Sequence, residues 1–370
     1  MEHSKYAYLA LRKVMAILLF TGTVFPGSAQ EMGFEEYNPK STLVVPKHPT
    51  SKAKFTFIDV HSHHFRMESQ NLSELIADMD RINLGIMVNL SGGSGDGLRA
   101  KLKNVNDHYP NRIVLFANVD FNGVGNLGWG KQAAAQLEAD VKAGAKGLKV
   151  YKSLGLRNKD VNGNRIAVDD SRLNPIWEKC AALNIPVLIH SADPKSFWDP
   201  MDSDNERWLE LKTRPGRKRS DTDPAPWQQI IDEQHRMFKK HPNTKFINAH
   251  MGWYANNLDR LAELMEEIPN MSVGIAAIIA ELGRQPRRAK QFFIQYQDRI
   301  LFGKDAWNPD EFPTYFRVLE TADEYFPYYK KYHAFWAMYG LDLPGEVLKK
   351  VYYKNALNLI PDLDRTLFPE

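Results

Sequence analysis

Ile58-Asp59-Val60-His61-Ser62-His63 is an apolar, β-branched run that ends in two imidazoles, and its reading organises the whole chain. Residues two apart on a strand share a face and stand about 7 Å apart, so His61 and His63 project together while Ser62 and His64 project the other way. Neutral imidazole suits zinc and other first-row divalent ions, and catalytic metal sites take about three protein ligands and leave a position open. Taken alone, the pair reads equally well as two solvated histidines at a strand end. Its meaning depends on what the rest of the chain places beside it.

That first run, 55–60, is followed by seven more, at 85–90, 113–119, 147–151, 186–189, 245–249, 271–275 and 300–302. Amphipathic stretches at 72–79, 131–142, 226–240, 255–267 and 286–297 separate them, each long enough for a crossover helix. The alternation predicts an α/β protein with a parallel sheet, and eight units predict a (β/α)8 TIM barrel over 55–360; an open doubly wound sheet is the alternative. Residues 30–54 are polar and Pro-bearing and read as an N-terminal arm. Residues 191–225 read as a long loop after strand 5 with one helical turn, 325–359 as two extra C-terminal helices, and 361–370 as a tail.

Of the 370 residues, 43% are hydrophobic and 25% charged, which is ordinary for a globular protein with a sizeable core, and a net charge of +3 gives no reason to expect a nucleic-acid partner. Lys5, Arg12 and Lys13 precede an apolar run at 14–25, and Gly27-Ser28-Ala29 offers a small-residue cleavage site, so 1–29 reads as a signal peptide. Thr21, Gly22 and Thr23 interrupt the run, which is too short to span a bilayer comfortably. An exported protein, periplasmic or secreted, without stable membrane insertion is expected. Cys180 is the only cysteine, which excludes an intramolecular disulfide, and its place in a helical pattern predicts a buried, inert thiol.

Three later strands end in chemistry that matches the first. The fifth closes on His190, the sixth on Asn248-Ala249-His250 and the eighth on Gly303-Lys304-Asp305. The C-terminal ends of TIM-barrel strands form one face, where active sites sit, so these residues converge although they are distant in sequence. Asp59 lies on the face of His61 and His63 and is expected to orient a ligand histidine by a hydrogen bond. His64, on the opposite face, is not expected to be a ligand.

This ordered set resembles the amidohydrolase superfamily, in particular the amidohydrolase 2 branch, whose pattern is His-x-His on the first strand, His on the fifth and sixth, and Asp on the eighth. Ala145-Lys146-Gly147-Leu148-Lys149 is similar to the branch's fourth-strand motif, and Val351-Tyr352-Tyr353-Lys354-Asn355-Ala356 to its C-terminal helix signature. The resemblance covers about residues 55–360. It implies that His61, His63, His190 and Asp305 hold one divalent metal, zinc or alternatively manganese. It also implies that Asp305 takes a proton from the attacking water and that His250 either supports a ligand from behind or acts as a general acid that polarises a substrate oxygen. Lys149 either bridges a second metal after carboxylation or pairs, uncarboxylated, with Asp305 or a substrate carboxylate; the second is preferred because the branch is usually mononuclear. The branch also contains decarboxylases and an isomerase, so a lyase, dehydratase or decarboxylase stands beside hydrolysis as the alternative reaction.

The loop after His190 bears Trp198, Arg207, Arg214 and Arg217, and it would overhang the barrel mouth near Trp253 and Trp307. Arginine binds carboxylates bidentately and tryptophan faces stack on sugar rings. These six residues are therefore expected to bind an anionic small-molecule or oligosaccharide substrate, such as a sugar-derived lactone or a uronic acid in carbohydrate breakdown. A solvated basic loop, or one that contacts a second copy in a homo-oligomer, is the plainer reading.

Overall fold

A computed structural model of the chain describes residues 32–33, 36 and 39–369; the signal-peptide expectation lies outside the described residues. The unit Ser41–Glu370 carries all that follows. Among the described residues, no helix is long and apolar enough to cross a membrane.

Nine short parallel strands make the barrel: β1 (Phe57–Ser62), β2 (Leu84–Asn89), β3 (Ile113–Leu115), β4 (Ala117–Asn118), β5 (Leu148–Val150), β6 (Val187–Ile189), β7 (Phe246–Asn248), β8 (Met271–Gly274) and β9 (Ile300–Leu301). They pair in the orders β1-β2-β3 and β4-β5-β6-β7-β8-β9. β3 and β4 are one barrel strand interrupted at Phe116, whose N–H bonds Asn89 on one side while the next residue's N–H bonds Gly147 on the other. The buried Phe116 ring explains why a glycine faces it: a Cβ on Gly147 would lie 2.5 Å from the ring. Between β9 and β1 the circle is joined by Val60 N–H donating to Phe302 O (3.1 Å), Asp305 N–H donating to His61 O (2.7 Å) and a parallel bridge from Ser62 to Asp305. The arrangement is a TIM barrel, as the alternation predicts.

Helices Leu72–Arg81, Gly95–His108, Trp129–Ala143, Asn174–Ala182, Trp227–Lys240, Leu258–Glu267, Pro286–Gln295 and Phe312–Glu320 follow the eight barrel strands in turn. Their apolar stripes pack on strands that are buried on both faces, which is why the strands read as continuous apolar runs rather than alternating ones. Phe57 at the start of β1 is enclosed by Phe302, Phe312, Phe316 and Tyr352, with ring centroids 4.8–5.9 Å away. Truncating a phenylalanine packed in this way costs about 3–5 kcal/mol.

Two segments depart from expectation. Residues 325–359 are not two helices: Phe326–Pro327 pairs antiparallel with Ala337–Met338, and a single helical run follows from Gly345 to Leu359, with a π turn at Lys350–Lys354. Pro327 cannot donate in a helix interior, and Pro344 marks where the helix can begin. In the loop after β6, the helix Trp208–Thr213 and two short 3-10 turns give more order than one helical turn. The Cys180 thiol is buried and its pKa is pushed up by burial, as its helical setting predicts.

Candidate metal centre

β1 brings His61 and His63 to the mouth, and Asp305 reaches them because the chain after β9 approaches β1 without obstruction. A Cβ on Gly303 would lie 2.8 Å from that of His61, so only glycine permits this approach. Asp305 itself adopts a left-handed backbone (φ 87°), a conformation that costs a non-glycine residue about 1–3 kcal/mol and recurs at functional sites. Its oxygen stands 3.5 Å from His61 Nε2 and 3.6 Å from His63 Nε2, and one ligand atom from each of the three residues lies within 4.8 Å of the others.

Asp59 acts on backbone rather than on an imidazole, correcting the expectation for it. Its buried Oδ1 accepts from the N–H of His61 (2.9 Å) and of Lys304 (3.1 Å), so one carboxylate ties the two ligand-bearing segments together. Burial raises its pKa to about 7, against the pull of those two N–H groups.

Protons on the other histidines follow from their partners. His250 Nδ1 lies 2.7 Å from Ala276 O; a carbonyl only accepts, so Nδ1 carries the proton. Burial lowers the His250 pKa to about 4, so the ring is neutral and Nε2 is an acceptor. His190 Nδ1, 3.2 Å away, donates to it. His190 Nε2 is thereby left bare, buried and without a partner. With both nitrogens engaged, His250 supports His190 from behind, the first of the two roles the resemblance implies, and has no free proton to give as a general acid. His190 stands outside the compact His61–His63–Asp305 group and offers that bare nitrogen.

The turn that carries His250 is strained. His250, Met251, Gly252 and Trp253 all have φ between 52° and 62°, and for L-residues each such conformation costs about 1–2 kcal/mol. The reward is that the His250 and Trp253 rings stack with centroids 4.6 Å apart, and the Trp253 N–H donates to Ser191 O.

Lys149, on β5, is buried, and its ammonium faces the Tyr151 ring at 5.5 Å with no hydrogen-bond partner among the described residues. Desolvation lowers its pKa to about 7, opposed by the charge of Asp305. Burial alone would raise the Asp305 carboxyl; its electrostatic interactions with His250, His63, Lys149 and Lys330 outweigh that and hold the carboxyl below the usual range. Burial depresses His61 and His190 well below the ordinary imidazole value and His63 to about 4. Neutral imidazoles, a carboxylate and buried bare nitrogens on His61 and His190 fit a divalent metal, since unpaired buried polar atoms otherwise cost about 1–3 kcal/mol each.

The loop residues expected at the substrate divide. Arg207 is turned inward, its two terminal nitrogens bonded to Glu210 (2.8 Å) and Glu281 beside Trp336, while its buried Nε has no hydrogen-bond partner among the described residues. Arg217 also bonds Glu210, and Arg214 lies exposed over the Tyr332 ring. The Trp198 N–H donates to Ala225 O, and Trp307 packs against His64 and Phe312. Of the six, Trp253 is the one in ring contact with the histidine cluster. His64 bonds Gln70 and stays apart from the cluster's ligand atoms.

The sequence reading missed Ser91, 2.9 Å from His63 Nδ1; Phe65, exposed and stacked on His63; and Lys330, whose charge reaches Asp305. Ser91 follows the end of a strand as His190 does, and that position was its signal. Lys330 lies in the 326–338 hairpin, which has no barrel register to reveal it.

The amidohydrolase model of the amidohydrolase 2 group matches residues 103–361. The chain belongs to this amidohydrolase family. Two solved structures share the fold. A TIM-barrel protein of Bordetella bronchiseptica is 14% identical with TM-score 0.51, over 82% of this chain and 97% of its own. The 5-carboxyvanillate decarboxylase of Sphingomonas paucimobilis is 12% identical with TM-score 0.51, over 83% and 99%. No curated protein matches the sequence. This amidohydrolase thus combines a family of metal-dependent enzymes with a His-His-Asp group able to hold an ion.

Proposed function

We propose that this amidohydrolase is an exported hydrolase that holds one divalent ion, zinc in preference to manganese, and opens a small carboxylated substrate such as a lactone of a sugar acid. One observation carries the reading: a buried lysine, Lys149, whose amine meets the Tyr151 ring face at 5.5 Å but has no hydrogen-bond partner among the described residues, stands in the field of Asp305 beside the histidine cluster. Such an amine is an open seat for an anionic group, and Lys330 adds a second positive charge from the hairpin. A bound metal would supply Lewis acidity toward a carbonyl and acidify water. Asp305, beside both imidazoles, would accept the proton of the attacking water. Trp253 offers a ring face beside His190 and His250 for an apolar sugar face. The proposed setting, carbohydrate breakdown outside the cytoplasm, rests on the leader-like residues 1–29; the loop arginines no longer support it.

A second reading is elimination or decarboxylation. The same lysine favours it, because an amine with pKa about 7 can also serve as a base at neutral pH. Incubating the metal-loaded protein with sugar-acid lactones and with uronic-acid-terminated oligosaccharides, followed by mass and ultraviolet absorbance, separates the readings. Gain of water is expected. Loss of water with a new absorbing double bond, or loss of carbon dioxide, would replace hydrolysis by the second reading. Failure of His61→Ala to reduce bound metal would sink the site itself.

A further inference from the structure

His63 is held by a chain of hydrogen bonds whose direction is forced. At its far end the Tyr151 hydroxyl lies 3.1 Å from the carbonyl oxygen of Leu90. A carbonyl only accepts, so the single phenolic proton is spent there. Ser91 Oγ lies 2.9 Å from the Tyr151 oxygen, and with that proton committed Ser91 must be the donor. The one hydroxyl proton of Ser91 is then also spent. His63 Nδ1, 2.9 Å from Ser91 Oγ, must therefore carry a proton and donate it. Any other assignment sets two lone pairs against each other at hydrogen-bond distance. The ring's orientation is fixed as well, since His63 lies between Tyr151 (centroids 5.6 Å apart, planes at 29°) and Phe65 (6.0 Å, 9°).

We propose that Ser91 and Tyr151 form a one-way hydroxyl relay that locks His63 as the Nδ1–H tautomer and presents a bare Nε2 to Asp305 and the metal. Both are positioning residues, acting through His63. Partners of this kind fix the tautomer and orientation of a ligand imidazole, and losing them costs about 10–100-fold in metal affinity. The relay is a property of the protein alone, but its consequence for metal binding rests on His63 being a ligand.

The test therefore has two arms. In metal-free protein, nitrogen-15 NMR of the His63 ring reports the tautomer; Nδ1–H is expected, and an Nε2–H ring overturns the relay. Tyr151→Phe keeps the stacked ring and removes only the hydroxyl, which frees the Ser91 proton to turn toward His63. A mixture of tautomers and a zinc dissociation constant about tenfold higher, by competition titration, are expected. Ser91→Ala should raise that constant by about 10–100-fold, and Ser91→Thr, which keeps the hydroxyl, should restore it. A folded Tyr151→Phe protein with unchanged tautomer and unchanged zinc affinity overturns the relay. If the unmodified protein binds no zinc, the metal reading fails, while the NMR arm still decides the relay.

Discussion

Two buried cations close to the barrel mouth make opposite arrangements. Arg207 is 4% exposed and meets two carboxylates, Glu210 and Glu281, with Trp336 against its guanidinium. Lys149 is 1% exposed and meets no hydrogen-bond acceptor. Taking an ion out of water costs several kcal/mol. At Arg207 that cost is offset by two carboxylates; at Lys149 the protein offers only the Tyr151 ring face and the field of Asp305. Position near a barrel mouth therefore says little about role until each charge's partners are counted.

Replacing each by methionine should separate the two roles, with the largest effects expected here. Arg207→Met leaves Glu281 buried without its cation and Glu210 with only the half-exposed Arg217, and should lower stability by about 3–5 kcal/mol in urea unfolding. Lys149→Met should lose no stability, while kcat/KM on the identified carboxylated substrate falls about 10²–10³-fold, the cost of deleting one preorganised donor. A Lys149→Met protein that kept its activity would erase the contrast.

The contrast also has a pH signature in metal-free protein. The folded pKa of Lys149, about 7, lies below its ordinary 10.5. Between those values the unfolded chain binds a proton that the folded chain refuses, so this residue makes stability rise with pH across that window. Below about pH 7 both states are protonated and its destabilisation is complete. Lys149→Met should therefore exceed the unmodified protein in stability by at least about 1 kcal/mol below pH 7, one pKa unit being worth about 1.4 kcal/mol, and lose that advantage as pH approaches 10.5. Thermal unfolding at pH 6, 8 and 10 would show it; equal offsets at all three would mean the amine is not depressed.

Much of this was legible because barrel strands write their ends into the sequence. His61, His63, His190, His250 and Asp305 each terminate an apolar run, and the fold turns that linear position into a shared face. What was not legible depended on partners. Nothing in the loop's composition shows that Glu210 and Glu281 will claim Arg207, because the pairing needs the loop and the helix Ile279–Arg284 to be brought together first. The choice between the two roles expected for His250 was hidden for the same reason: its strand-end position was visible, but not that Ala276 O and His190 occupy both its nitrogens. The hairpin bearing Lys330 was hidden because aromatic residues at 325–336 fit a helix face as readily as a paired strand.

A smaller effect tests how the ligand group is brought together. Gly303→Ala places a Cβ 2.8 Å from that of His61, against a strand that cannot yield without moving Asp59's two bonds. Overpacking of this kind costs about 1–3 kcal/mol. The expected outcome is a folded protein with weaker zinc binding, read by competition titration; unchanged affinity would show that Asp305 reaches His61 by some other tolerance of the chain.

Arg217 gives the smallest effect and the sharpest check on the loop. It bonds the same Glu210 as Arg207, yet its side chain is 41% exposed while that of Arg207 is 5% exposed. Water screens the outer pair, and exposed ion pairs contribute about 0–1 kcal/mol. Glu210 keeps Arg207 when Arg217 is removed, so no carboxylate is stranded. Arg217→Ala should therefore change stability by less than about 1 kcal/mol and leave kcat/KM within about twofold, since each tenfold change needs about 1.4 kcal/mol in the transition state. A drop of tenfold or more in kcat/KM with stability unchanged would mean that this arginine leaves Glu210 to meet the substrate, and the loop would regain the role its composition predicts.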